Sequence, residues 1–294
     1  LRARGIDATM VEPPDIRSLW GNPDAVSTRS DTRLRGLTRL RKGMRHVLRM
    51  HQLLARIRRE KPDLVHFQWL PLPPIDHVVL RRLRGQVPLV FTMHNTSLFH
   101  GAASSGVQGL NAATCYSLFD RIVVHSEYGR TSALRAARAT ERQLVCIPHG
   151  AFDHYATLCP PELADRNGPV TFLFVGSIKA YKGLDLLLSA FDVLVSRRPS
   201  LDVRLIVAGN PGFEMQRMGE RNDRSFGGGR IEWRLRHQSE REVAQLLAQA
   251  HAVVLPYREI DQSGVLLAAV AMHRAVIASH IGAFPEVVRD GENG

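Results

Sequence analysis

Short apolar runs rich in Val, Ile and Leu recur along this chain, and each is followed by a longer segment with helical period. That alternation leaves few folds open. A short strand with no polar alternation must be buried on both faces. A helix between successive strands carries the chain back over the sheet and covers it. The pattern therefore predicts an α/β protein with parallel sheets. Residues 64–67, 89–93, 121–125 and 144–147 are the predicted strands of the first half. Residues 171–175, 203–208, 231–235, 252–256 and 275–279 are those of the second.

The halves are divided by a stretch with no apolar period, running from Cys159-Pro160-Pro161 to Gly168-Pro169. Such composition marks a linker. It predicts two domains, residues 1–160 and 161–294. The 294 residues are enough for a core in each. The chain opens without Met on Arg4-Gly5-Ile6-Asp7-Ala8-Thr9-Met10-Val11, read as a helix end, a Gly stop and a strand. It closes on the turn Asp290-Gly291-Glu292-Asn293-Gly294. We expect a fragment of a longer protein. Ser239, three residues before Glu242 and just ahead of Val243, Leu246 and Leu247, predicts a capping box at a helix start.

Composition narrows the function classes. A hydrophobic fraction of 44% and a charged fraction of 23% are those of a soluble globular protein. No apolar run has bilayer length, and no leader pattern stands at the start, so the expected location is the cytoplasm. Cys115, Cys146 and Cys159 have no metal-ligand spacing and read as reduced thiols. The net charge is +11, nearly all of it from arginine, because lysine occurs only at Lys42, Lys61, Lys179 and Lys182. Readings of that charge are genomic bias, an anionic membrane surface, a phosphorylated ligand or nucleic acid. No nucleic-acid motif accompanies it, and aromatics are only 6%, so nucleic acid is set aside as a partner.

Three places could carry chemistry. The first is the turn Gly176-Ser177-Ile178-Lys179-Ala180-Tyr181-Lys182-Gly183, which follows a predicted strand and precedes an amphipathic helix. Open α/β sheets place ligands at such turns. Lys179 and Lys182, half of all the lysines, are compact charges suited to phosphate. The bland alternative is two solvated loop lysines. The second place is Pro256-Tyr257-Arg258-Glu259-Ile260-Asp261-Gln262-Ser263-Gly264, where the free amides of Gln262, Ser263 and Gly264 would face outward at the positive end of a helix. Asp261 could hold sugar hydroxyls there; alternatively, Ser263 simply caps the helix. The third is His94, just past a first-half strand, with His125 and His149 placed alike. Absences exclude other classes. No Gly-x-Gly-x-x-Gly follows a strand, Gly227-Gly228-Gly229 does not fit one, and there is no Walker A sequence. No aspartates stand two apart to hold a cation, and no His/Cys/carboxylate cluster has metal spacing.

Taken in order, these elements resemble glycosyltransferase family 4. The resemblance is carried by Phe174 to Asp185, by Leu205-Ile206-Val207-Ala208-Gly209-Asn210-Pro211-Gly212, and by Ala252-Val253-Val254-Leu255-Pro256-Tyr257. It continues in Gly282-Ala283-Phe284-Pro285-Glu286-Val287-Val288 with Asp290-Gly291. Looser matches are Pro62-Asp63-Leu64-Val65-His66, Thr92-Met93-His94 and Ile147-Pro148-His149-Gly150. The resemblance covers nearly the whole chain. It implies a GT-B fold, two Rossmann-like domains facing each other, here incomplete at both ends. The first, acceptor-side domain would lack its first strand, and the second, nucleotide-sugar-binding domain its last helices.

The implied activity is metal-independent and retaining: hexosyl transfer from a nucleotide-diphosphate sugar to a glycan or lipid-linked acceptor in bacterial polysaccharide or glycolipid synthesis, with no cofactor. By resemblance, Lys182 holds the donor diphosphate, Lys179 supplies a second charge where the family usually has an arginine at Ser177, and Gly264 opens the phosphate-binding helix. Gly176, Gly209, Gln262 and Ser263 complete the donor set, and His94 and Asp261 stand at the reacting sugar. Two family glutamates are replaced by Asp261 and Ala269, and Ala269 cannot bond a ribose. An inactive nucleotide-sugar-binding protein of the same fold is therefore the alternative. Residues 33–59, basic and partly helical in period, are either a helix meeting anionic lipid at the inner face of the membrane or an ordinary helix with its arginines in water. Gly36 and Gly43 weaken its continuity.

Overall fold

The computed structural model describes residues 32–95, 112–136, 139–161, 168–211 and 230–294. The chain divides into two compact units, residues 1–55 and 56–294, and both sheets belong to the second. The segment 4–11, the run Gly227-Gly228-Gly229 and part of the linker lie outside the described residues.

All nine predicted strands form. In the first half, β1 (Val65–Phe67), β2 (Leu89–Thr92), β3 (Arg121–Val124) and β4 (Leu144–Cys146) make one sheet in the order β1-β2-β3-β4. Every pairing in it is parallel. In the second half, β5 (Val170–Val175), β6 (Val203–Ala208), β7 (Ile231–Arg234), β8 (Ala252–Leu255) and β9 (Ala275–Ala278) make a second parallel sheet, ordered β7-β6-β5-β8-β9. The helices, in chain order, are α1 (Thr32–Glu60), α2 (Pro73–Leu83), α3 (Ala112–Tyr116), α4 (Glu127–Ala136), α5 (His154–Leu158), α6 (Leu184–Arg197), α7 (Glu240–Gln249), α8 (Gly264–Ala271) and α9 (Phe284–Val287).

The second sheet shows why its strands read as continuous apolar runs. Successive side chains of a strand face opposite sides. Leu173 and Val175 of β5, Ile206 and Ala208 of β6, and Val253 and Leu255 of β8 enter one core with Leu246 and Leu247 of α7 and Leu266 and Ala269 of α8. Phe174, Val203, Leu205, Val207 and Val254 enter a second core with Leu184, Leu187, Leu188 and Phe191 of α6. Both faces of the central strands are covered, so residues 172–175 of β5 and all of β8 are apolar. Phe152, Tyr155 and Ala156, from the turn after β4 and from α5, pack against the first of these cores.

Local signals behave as their chemistry requires. Ser239 Oγ accepts from Glu242 N–H, and Glu242 returns the bond to Ser239 N–H at 2.7 Å, completing the capping box. Buried Arg274 donates to the carbonyls of Met272 and Ala250 at 2.7 and 3.2 Å, closing the ends of α8 and α7. Helix α1 runs unbroken through Gly36 and Gly43. Each glycine costs about 1 kcal/mol relative to Ala, and a helix this long absorbs both.

Candidate active site

Strand order decides where a ligand can enter the second sheet. From β5 the chain winds outward to β6 and β7, then returns to lay β8 and β9 on the other side. The connections after β5 and β8 therefore leave in opposite directions and open a crevice at the C-terminal ends of these two strands. The two predicted phosphate-binding turns are the segments that follow those strands.

Lys182 ends the 3-10 turn Ala180–Lys182 and folds back toward β5, leaving it only 8% exposed. A Cβ built on Gly176 would lie 3.1 Å from Lys182 Nζ and 3.5 Å from Val265 Cγ2. The ammonium and the first turn of α8 thus approach one backbone point from two separate loops. Lys182 Nζ also stands 5.3 Å from the centre of the Tyr257 ring, within cation–π range. Burial, reinforced by the charge of Lys179, lowers the Lys182 pKa from 10.5 to about 8. Lys179 itself is exposed.

The two turns are joined by close backbone approach. Gly183 has φ +66°, and a Cβ there would stand 2.0 Å from the carbonyl oxygen of Pro256 at the end of β8. Gly209 has φ +149°, and its Cβ would stand 1.8 Å from the carbonyl oxygen of Gly176. Arg258 N–H donates to Tyr181 O at 2.7 Å. The Arg258 guanidinium grips both carboxylate oxygens of Asp185 at 2.8 and 2.6 Å and donates to Ala180 O at 3.0 Å. That hydrogen bond holds Asp185 below the usual carboxylate range.

At the start of α8, Ser263 Oγ accepts from Leu266 N–H at 3.4 Å, and the first intrahelical bond runs from Leu267 N–H to Ser263 O. Ser263 is therefore a helix cap. The N–H groups of Gly264 and Val265 precede that first bond and have no acceptor within the helix. Gly264 is exposed, Gln262 half-buried and Asp261 4% exposed. Asp261 O accepts from Ala283 N–H at 3.3 Å. Ala269 is fully buried in the core, so its small side chain is a packing residue here.

His94 lies across from these turns, at the C-terminal edge of the first sheet. It belongs to a row of rings drawn from successive strand ends. Trp69 stacks on His94 at 4.7 Å, His94 meets His125 at 5.7 Å, His125 meets His149 at 4.9 Å, and His149 meets Phe152 at 5.4 Å. The row ends at the turn before α8, because a Cβ on Gly264 would stand 2.9 Å from Phe152 Cε2. His94 Nε2 pairs with Gln68 Oε1 at 2.9 Å. A carbonyl-type oxygen accepts only, so His94 carries its proton on Nε2 and leaves Nδ1 as an acceptor.

Burial, followed by the charges of His125, His149 and His66, lowers the His94 pKa from 6.5 to about 4. The ring is therefore neutral at physiological pH. The linkage sign follows. Between pH 4 and 6.5 the unfolded chain binds a proton that the folded chain refuses, so the stabilisation is complete above pH 6.5 and lost as pH falls toward 4. Solvent reaches this half-buried ring, which screens the effect to about 1 kcal/mol. Urea unfolding at pH 7 and 4.5 should show that loss in the wild type and a smaller one in His94→Gln. Equal acid sensitivity would contradict it.

Sequence profiles match both halves of the chain. The profile Glycosyltransferase Family 4 matches residues 1–154, more than half of the chain. The chain belongs to glycosyltransferase family 4. The profile Glycosyl transferases group 1 matches residues 169–294. The phosphatidyl-myo-inositol mannosyltransferase of Mycobacterium tuberculosis is 29% identical over 238 residues, covering 79% of this chain and 58% of its own length. The D-inositol 3-phosphate glycosyltransferase of Actinosynnema mirum is 34% identical over 234 residues, covering 73% of this chain and 56% of its own. The family 4 chain thus spans a little over half the length of these relatives.

Sucrose-phosphate synthase from Thermosynechococcus elongatus superposes with a TM-score of 0.65 at 18% identity, covering 83% of this chain and 62% of that one. Anabaena HepE in complex with UDP gives 0.61 at 16% identity, with 83% and 66% covered. These likenesses establish the fold, two parallel-sheet α/β domains of GT-B type.

Gly176 meets Lys182, Gly209 and the first turn of α8, which begins at Ser263 and Gly264; Lys179 is exposed, and His94 stands at the end of the first sheet. Sequence reading passed over Gln68 and Trp69, which orient His94. Their one available signal is position, immediately after β1 at the end of the sheet where ligands bind. It also passed over the Arg258–Asp185 clamp, whose partners are 73 residues apart in sequence. Among the described residues no group of three or more His, Cys, Asp or Glu side chains is arranged to hold a metal ion.

Proposed function

We propose that this family 4 chain is the greater part of a glycosyltransferase that moves a hexosyl group from a nucleotide-diphosphate sugar to a glycan or lipid-linked acceptor, with retention of configuration. The observation that carries the reading is the meeting of the Lys182 ammonium and the start of α8 at Gly176. Breaking the glycosidic bond leaves negative charge on the departing diphosphate. Lys182 and the amides of Gly264 and Val265 stabilise that charge as it develops, with Lys179 adding to the field from the rim. The groups are fixed before reaction, so little reorganisation opposes the step. Neutral His94, with Nδ1 free to accept, faces the sugar from the acceptor side, and Asp261 lies in the turn that leads into α8.

The reading is supported by the named activities of the relatives, a mannosyltransferase acting on phosphatidyl-myo-inositol and a glycosyltransferase acting on D-inositol 3-phosphate. Anabaena HepE has been solved with UDP and glucose. The test is a thermal-shift panel of uridine, guanosine and adenosine diphosphate sugars on this chain extended to the length of its relatives, followed by hydrolysis and transfer assays with those that bind. Stabilisation with turnover supports the enzyme. Stabilisation without turnover favours the inactive binder, the reading that Ala269 and Ser177 raise. Stabilisation by none of them overturns both.

We further place the enzyme on the inner face of the membrane. Helix α1 exposes Met44 at 62% and Leu48 at 63% beside exposed Arg41 and Arg45. Apolar residues flanked by arginines suit an anionic lipid surface. Among the described residues no helix is long and apolar enough to cross a membrane. Co-sedimentation should rise with phosphatidylglycerol content and fall in Met44→Ser/Leu48→Ser. Binding independent of lipid charge would contradict this placement.

A further inference from the structure

The start of α4, in the first sheet's half, is completed by a residue from the second. The first N–H groups of a helix have no intrahelical partner. In α4 the bond from Arg130 N–H to Ser126 O, 3.0 Å, is the first to close. Gly129 N–H is taken by Ser126 Oγ at 3.0 Å. The two that remain, Glu127 N–H and Tyr128 N–H, donate to Glu286 Oε2 at 2.9 Å and Glu286 Oε1 at 2.8 Å. One carboxylate from α9 thus satisfies both outstanding donors, and its charge complements the positive end of the helix dipole.

The two ends of this contact sit beside the two sides of the site. Glu127 is two residues past His125, within the ring row that contains His94. On the other side, Glu286 follows Gly282, whose Cβ would stand 1.9 Å from Ile260 O, and Ala283, whose N–H donates to Asp261 O. A displacement of α9 relative to α4 therefore shifts the His94 edge relative to the loop of Asp261 and Gly264.

We propose that Glu286 is a positioning residue that sets the register between the histidine edge of the first sheet and the donor-side turns of the second. Glu286 acts through α4 and reaches no reacting atom. The consequence for catalysis rests on the glycosyltransferase reading above; the contact itself does not.

The experiment compares wild type with Glu286→Ala, Glu286→Gln and Glu286→Asp in the chain extended to the length of its relatives. Small-angle scattering without ligand should show a larger radius of gyration for Glu286→Ala. Calorimetry with uridine, guanosine and adenosine diphosphate should show affinities like those of the wild type, because Lys182 and the start of α8 are untouched. Sugar transfer should lose at least about tenfold in kcat, because small misplacements of reacting groups are that costly, while the donor KM stays near wild type. Glu286→Gln keeps the shape but turns an amide nitrogen toward one N–H, so it should resemble Ala, and Glu286→Asp should fall between. Unchanged scattering in Glu286→Ala overturns the contact, and a changed radius with wild-type kcat overturns the positioning role. If the wild type transfers no sugar, the functional reading fails and scattering alone decides the contact. A folding defect would show as lost diphosphate binding in Glu286→Ala; scattering and kcat of Glu286→Asp then decide by the same criteria.

Discussion

Lys182→Met is expected to weaken nucleoside diphosphate binding by roughly a hundredfold while making the unliganded protein more stable. The first effect follows from removing the buried ammonium of the crevice, since a fixed charge facing a diphosphate in a water-poor site contributes about 3 kcal/mol. The second follows from what that ammonium costs without an anion. Its pKa falls from 10.5 in the open chain to about 8 in the fold, mainly through burial. Below pH 8 the lysine is charged in both states and the whole desolvation penalty is present. Between pH 8 and 10.5 the unfolded chain holds a proton that the folded chain has released, so stability rises with pH, and the penalty is gone above 10.5. At pH 7 methionine should therefore stabilise by about 2 kcal/mol, allowing for the lost contact with Tyr257. Thermal unfolding and calorimetry on the same variant read both effects. A variant that binds normally, or that melts well below the wild type, contradicts this role for Lys182.

Gly183→Ala should be nearly as damaging by a different route. At φ +66° any side chain is strained, by about 1 kcal/mol. Steric overlap costs more, because the new Cβ would stand 2.0 Å from Pro256 O. Backbone cannot yield as a flexible side chain can, so the turn of Lys182 must separate from the end of β8. We expect a loss of about 2–4 kcal/mol in urea unfolding, together with lost nucleoside diphosphate binding. Gly150→Ala, with open space around its Cβ, is the control and should change neither. Wild-type stability in Gly183→Ala would mean that the two turns are not joined as described.

Most of the fold was legible in the sequence because strands buried on both faces leave a strong signal. Phe172-Leu173-Phe174-Val175 and Ala252-Val253-Val254-Leu255 contain no polar residue to confuse the period. Strand ends were legible to within about a residue, since Gly176, Asn210 and Pro256 break them. The meeting of the turns after β5 and β8 was also legible, because the glycines and lysines involved stand next to one another in the chain.

Long-range pairing left no local mark. Gln68 reaches His94 across 26 residues, Arg258 reaches Asp185 across 73, and Glu286 reaches Glu127 across 159. Each of these side chains reads as an ordinary polar surface residue until the sheets bring it to its partner. The continuity of α1 was underread for another reason. Two glycines weaken a helix locally, but helix formation is cooperative over its length. The burial of Lys182 was likewise invisible, since nothing in Lys179-Ala180-Tyr181-Lys182 distinguishes the lysine that folds inward from the one that stays in water.

Proton uptake on binding tests the proposed diphosphate site most directly. Calorimetric titration of nucleoside diphosphate at pH 8, in two buffers of different ionisation enthalpy, counts the protons that accompany binding. With Lys182 half-protonated before binding and fully charged against the diphosphate, the wild type should take up about half a proton per site, and Lys182→Met none. Binding with no proton uptake in the wild type would show that the diphosphate rests elsewhere.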